Sequence, residues 1–260
     1  FIWNDAVQSS PGSDIDFSFL DSLLSSLPQG LDALVVVDGL PSWMSNPANW
    51  DTGNPRLTLA NHLIRQMGRR FGNHPKIVGF EIWNEPNIQN SQNETLGVLS
   101  SAENYVEMLA AASSILRELA PGKLILNAAT TAINQNFPAT LNYNKAMRDA
   151  GAQAFIDRYN IHYYGRQYER VTTGGGVADF LNGIAEPIWI TESGIQGVNQ
   201  QLEYGEQTWP FLRDNIPGIE RIYIYRFADS SPPAASYGLR TLDPQAPVSD
   251  LYIHLRERAQ

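Results

Sequence analysis

Apolar residues fall along this chain in two alternating patterns. Short unbroken runs end abruptly on polar groups, and longer stretches repeat an apolar residue every three or four positions. The first pattern suits strands buried on both faces and the second suits amphipathic helices. Read in order, the runs predict strands at Phe1–Asn4, Leu34–Val37, Ile77–Trp83, Leu124–Asn127, about Arg158–His162, Ile188–Thr191 and Arg221–Tyr225. Between them, Phe17, Leu20, Leu23, Leu24 and Leu27 predict a helix that Asp14 or Asp16 would cap. Leu57–Phe71 is a second helix, stopped by Gly72, Asn73 and Pro75, and Ser101–Leu119 a third, ended by Pro121-Gly122. Further helices are expected near Tyr143–Ala150, Val177–Ile184, Glu203–Leu212 and Val248–Arg256.

Regular βα alternation implies parallel strands with helices outside, and the closed form of that design is the TIM-type (β/α)₈ barrel. An open doubly wound sheet competes with it. Polar and aromatic groups recur at nearly every strand end, which fits one rim lined by all strands better than a single crevice. The count reaches seven strands, one short of eight. Three explanations stay open: an overlooked strand, a first βα unit lying before Phe1, or a truncated barrel. In the last case the strand edges would be bare and would recruit a second copy, so a homodimer is an expectation.

Composition narrows the picture. With 260 residues, 43% hydrophobic and 17% charged, the chain can bury a large core, and residues 1–260 are expected to form a single barrel domain. A net charge of −9 disfavours nucleic acid as a partner but accepts neutral sugars. No cysteine is present, so disulfides and thiolate metal sites are excluded. The apolar runs fall short of a membrane span. The chain begins directly in the strand-like FIWN, which leads us to expect a leader or structural segment removed ahead of it, and a secreted or periplasmic location.

The chemistry concentrates in two stretches of the same form. In Gly79–Asn87, GFEIWNEPN, a buried strand ends on Asn84, Glu85 and a proline that stops further pairing. In Pro187–Gly194, PIWITESG, Glu192 stands just past Ile188–Ile190. Carboxylates at the C-terminal ends of buried parallel strands occupy the catalytic rim of α/β barrels, and two of them are the minimum apparatus for glycoside hydrolysis. The plain alternative for either glutamate alone is an ion pair at the rim.

With these residues placed, the sequence resembles the clan of retaining glycoside hydrolases built on (β/α)₈ barrels. It looks most similar to family 39 and its relatives, which include β-xylosidases and bacterial exopolysaccharide hydrolases, with family 5 next. In that clan the acid/base glutamate follows an asparagine at the end of the fourth strand and the nucleophile ends the seventh. Here EIWNEPN carries Asn84 and Glu85, and WITESG carries Glu192, 107 positions later (192 − 85). They sit on the third and sixth predicted strands; one further unit in front would make these fourth and seventh. Two departures matter. The clan's first strand is absent, and where its eighth strand presents a tryptophan this chain has Arg226 and Phe227.

The resemblance implies a retaining β-glycosidase with Glu192 as nucleophile and Glu85 as acid/base. Glu85 would hold a proton beside ionised Glu192, then act as base once the glycosyl-enzyme removes that charge. Asn84 would hydrogen-bond the sugar 2-OH. His162 and Tyr164, two apart on one strand, point the same way and would orient the nucleophile or touch the sugar. Trp43, in a long rim loop, is favoured over Trp50 and Trp83 as a stacking surface, with Phe227 a further candidate, although single aromatics more often pack than bind. Asp38 and Asn4 end other strands and are candidates for hydroxyl binding. Glu81, deeper on the Glu85 strand, reads as an interior charge paired with Arg158 or Arg226. The four histidines show no metal spacing, so no metal and no cofactor are expected. Asn93-Glu94-Thr95 forms a glycosylation sequon. Two rivals remain: a carbohydrate-binding barrel with vestigial catalysis, and a transglycosylase using the same site.

Overall fold

The structure is a computed structural model that describes residues 1–243 and 245–258. The chain packs as two units, Phe1–Thr131 with Asn142–Tyr159, and Ala132–Leu141 with Asn160–Gln260.

In the first unit α1 (Ser18–Ser26) precedes β1 (Ala33–Val37). Then α2 (Pro55–Leu59), a π-helical turn at Ala60–Ile64 and α3 (Arg65–Phe71) run on as one irregular helix to β2 (Ile77–Ile82). After it come α4 (Ser91–Leu96), α5 (Ala102–Leu119) and β3 (Leu124–Asn127). The strands form a parallel sheet in the order β1-β2-β3, with Val35 opposite Phe80 and Phe80 opposite Ile125. Because both faces are covered, these strands read as continuous apolar runs, as expected of parallel sheets. Gly79 lies so close to β3 that a Cβ there would sit 2.5 Å from the Leu124 carbonyl oxygen. Helix α5 buries Tyr105, Val106, Leu109, Ala112, Ile115 and Leu116 along one stripe, with Ser101 capping its start by accepting from Asn104 N. Each of the larger side chains contributes about 1.5–3 kcal/mol by leaving water.

The strand expected at Phe1–Asn4 is reduced to one bridge, Ile2 to Asp38. Asn4 is the reason: its Oδ1 accepts from Ala6 N and Val7 N at 3.0 and 3.2 Å and turns the chain at once. The cap expected at Asp14 or Asp16 is not formed: Phe17 holds the N-cap position of α1 without a side-chain bond, and Asp16, one residue earlier, accepts from Ser18 N through Oδ1 at 2.8 Å. The polar stretch after Asn87, where the apolar pattern predicts no element, holds α4. Its run SQNETL is too short and too polar to show a helical stripe.

Helix α6 (Ala139–Asp149) is followed by β4 (Tyr159–Tyr164), α7 (Tyr168–Thr172), α8 (Val177–Leu181), β5 (Ile188–Gly194), α9 (Gln201–Asn215) and β6 (Ile219–Ile224). A two-residue parallel pair, β7 (Ala228–Asp229) with β8 (Arg240–Thr241), and α10 (Asp250–Arg258) complete the chain. The sheet order is β4-β5-β6. On α9, Gln201, Tyr204, Gly205, Thr208 and Leu212 form the buried face. Among the described residues no helix is long and apolar enough to cross a membrane.

Candidate active site

In the first unit, the carboxyl end of β2 carries the NEP turn. The strand stops at Ile82, one residue earlier than the apolar run suggested, because Trp83 takes φ +77° and Glu85 φ +43°. Left-handed backbone at two non-glycine residues is costly and persists only where the surroundings impose it. Here they do. Glu85 N donates to Ala129 O at 2.9 Å, and Tyr105 OH donates to Ile82 O while accepting from Ala128 N. Below the turn lies Asn93, wholly buried: its Oδ1 accepts from Trp83 Nε1 at 2.8 Å, and its Nδ2 donates to Glu85 O and Ile88 O at 2.9 and 2.8 Å. The sequon asparagine is thus an internal clamp on the turn and not a surface acceptor.

Replacing Asn93 by alanine would strand an indole N–H and two carbonyls. We expect a loss of about 2–4 kcal/mol, the scale of such unsatisfied groups, visible as a lowered thermal unfolding midpoint. An unchanged midpoint would show that the turn holds itself.

Glu85 is half-buried, as is Asn84, whose side chain makes no hydrogen bond among the described residues. Asp38, just past β1, lies in the same unit and its Oδ1 accepts from Gly39 N at 2.8 Å. Burial pushes its carboxyl above the usual range, and the charge of Glu85 adds to that rise. The deeper Glu81 is fully buried, with Ala129 N donating to its Oε1 at 3.2 Å.

In the second unit, β5 presents Glu192. One extra residue is inserted between Ile190, which pairs with Ile222, and Ser193, which pairs with Ile224. Such bulges bend a strand and re-aim a side chain. Ser193 is anchored by Tyr204 OH at 2.8 Å and by Trp209 Nε1 at 3.2 Å, both from α9. Gly194 follows where a Cβ would meet the Tyr225 carbonyl oxygen at 2.6 Å. The Glu192 carboxylate is itself held: Tyr164 OH donates to Oε2 at 2.6 Å, and His162 Nδ1 lies 3.6 Å from the same oxygen. The expected His162/Tyr164 pair therefore does converge on Glu192.

Tyr164→Phe would remove that short bond without changing the shape of the site. A hydrogen bond to a charged acceptor is worth about 1.5–3 kcal/mol, so kcat should fall by roughly ten- to a hundredfold, while the protein stays folded at the assay temperature. Steady-state kinetics beside a melting curve would check this.

Two residues went unread in the sequence. Tyr225 and Tyr237 place their rings 5.9 and 5.2 Å from that of Tyr164, edge to face. Tyr237 is carried by a loop organised on Asp229, which accepts from Arg226 Nη2, Ser231 N and Tyr237 N. Although burial opposes it, this donor set, led by Arg226, holds the Asp229 carboxyl well below the usual carboxylate range. Arg226, one of the two partners expected for Glu81, is thus paired with Asp229. A tyrosine so far along the chain from β4 and β5 gave no local signal. Only the long return loop brings it back.

The other candidates fall into packing or lie open. Trp43, at 9% exposure, donates from Nε1 to Gln8 O at 3.0 Å and stands edge-on to Trp3 at 5.3 Å. The loop that holds it is wound into successive 3₁₀ turns, which tuck the indole inward. Trp50 donates to Met44 O, and Trp83 is buried in the clamp already described. Asn4 is committed to its turn. Phe227 is 62% exposed.

Comparison with known proteins identifies the class. The family model described as "glycosyl hydrolase catalytic core" matches residues 47–235, and the chain belongs to this family. No curated protein matches it significantly in sequence. Among solved structures it is similar to a family 39 glycoside hydrolase from Bacteroides cellulosilyticus WH2, with 19% identity, TM-score 0.60, and 91% of this chain covering 52% of that one. A β-galactosidase from Marinomonas ef1 matches with 15% identity, TM-score 0.61, and 99% of this chain on 55% of that one. A psychrophilic family 10 endo-β-1,4-xylanase matches with 17% identity, TM-score 0.57, and 91% of this chain on 78% of that one. The chain spans about half the length of the first two. The fold is accordingly a TIM-barrel-like α/β fold, shared with these solved glycoside hydrolases.

Proposed function

We propose that this chain hydrolyses β-linked oligo- or polysaccharides with retention of configuration, using Glu192 as nucleophile and Glu85 as acid/base. The observation that carries the reading is the grip on Glu192: a short hydrogen bond from Tyr164 and a buried His162 converge on one carboxylate oxygen at the end of β5. A carboxylate so oriented is prepared for in-line attack on an anomeric carbon, and its remaining oxygen is the attacking atom. The clamped NEP turn supplies the second carboxyl, on a backbone whose cost makes sense for a group that must be aimed.

The reaction proceeds in two displacements. Glu192 Oε1 attacks the anomeric carbon and forms a glycosyl ester, while the Glu85 carboxyl delivers its proton to the departing glycosidic oxygen. Water then enters from that face, gives a proton back to Glu85, and breaks the ester to release Glu192. Double displacement with retention needs a carboxyl on each face of the same sugar, one as nucleophile and one as acid/base. Asn84, with its amide not otherwise engaged, takes the 2-OH.

The test is the anomer released first. With an aryl β-glycoside panel followed by proton NMR, the β-anomer should appear before mutarotation sets in. Initial release of the α-anomer would overturn the double displacement, and no turnover on any member would favour a carbohydrate-binding barrel. Longer products on adding an acceptor sugar would identify a transglycosylase.

A further inference from the structure

A cleft of about 710 Å³ opens in the first unit, between the loop at residues 11–15 and the irregular helix of α2, the π-turn and α3. None of the residues assigned to catalysis lines it. Its volume falls within the range of small-molecule sites, about 300–1,000 Å³. One wall is cationic: Arg65, Arg69 and Arg70 all contribute to the lining, in a chain whose net charge is −9.

The three arginines differ in what they do. Arg70 is spent on the fold, paired with Asp21 at 2.6 Å and lying over the rings of Phe17 and Phe71. Arg65 and Arg69 make no ion pair among the described residues, and the hydrogen bond from Arg65 to Asn61 Oδ1 is long, at 3.4 Å. They stand one helical turn apart, so both guanidinium groups face the same space. The π-turn at Ala60–Ile64 precedes them and brings Asn61 and His62 into the same lining. Turns of this kind often mark working positions in helices. Across the floor Asp51 engages both, at 3.3 Å from Asn61 Nδ2 and 3.4 Å from His62 Nε2.

This mixture restricts the ligand. A dense polyanion would meet Asp14 and Asp51 as well as the arginines, and a neutral sugar would leave two guanidinium groups without a counter-charge. A saccharide bearing carboxylates satisfies both, since guanidinium pairs with carboxylate in a planar fork while amides and carboxylates take the hydroxyls. We infer that this cleft is an ancillary binding site for uronate-containing oligosaccharide, held chiefly by Arg65 and Arg69.

The experiment is isothermal titration of the intact chain with penta-galacturonate, a neutral β-1,4-glucan pentamer, and inorganic phosphate. The uronate should bind more tightly than either control, and more weakly as salt is raised. The R65Q/R69Q pair should weaken it at least tenfold, by loss of charge-assisted hydrogen bonds. Gln66→Glu, which adds a carboxylate to the same wall and removes no existing contact, should also weaken it. The exposed Arg213→Gln, on α9, should leave it unchanged, and so should Glu192→Ala, which separates this site from the catalytic one. Binding of the neutral pentamer or of phosphate that the R65Q/R69Q pair weakens as much as it weakens the uronate's would overturn the assignment. So would undiminished uronate binding by both cleft variants.

Discussion

Glu192→Ala is expected to lower hydrolysis by roughly 10⁴-fold or more, the scale on which loss of a covalent nucleophile acts. Removing it leaves Tyr164 and His162 without the carboxylate they orient, yet opens a space the size of a small anion. Added azide should therefore restore turnover of an activated aryl glycoside and yield the α-glycosyl azide, since the external nucleophile attacks directly from the vacated face. Product NMR would read the configuration. A β-azide, or activity near that of the unaltered protein, would remove Glu192 from the nucleophile's role.

Glu85→Ala should act differently. The loss should depend on the leaving group: about 10²–10⁴-fold for alkyl or sugar leaving groups that need a proton, the contribution of general acid catalysis, and far less for a dinitrophenyl group that departs as a stable anion. For that good leaving group, hydrolysis of the glycosyl-enzyme should limit the rate, and azide should speed it and give the β-glycosyl azide. The pair of azide products, α from one variant and β from the other, distinguishes nucleophile from acid/base with no reliance on the size of either defect. An equal loss for all leaving groups would point instead to a structural role at the NEP turn.

Sequence pattern alone determined more of the fold than of the site. The runs at β1, β2, β3 and β5 were legible because parallel strands covered on both faces must be apolar throughout. The α5 stripe was legible because a helix facing a sheet must repeat its apolar residues. Glu85 and Glu192 stood out as polar residues where such runs end. Phe1–Asn4 misled because its residues favour a strand while the turn built by Asn4 ends it, a choice made by hydrogen bonds two and three residues onward.

What tertiary structure decided lay in side chains that act at long range. That Asn93 is a clamp and not a glycan acceptor depends on burial beneath Glu85 and Ile88. Trp43 turned inward because Gln8 and Trp3, remote in the chain, offered a carbonyl and a ring edge. Tyr237 reached Tyr164 only through the loop that Asp229 organises. Periodicity reports which face of an element is apolar, since every residue there meets the same kind of surroundings. It carries no record of single polar partners, because a hydrogen bond joins two particular atoms whatever their separation along the chain.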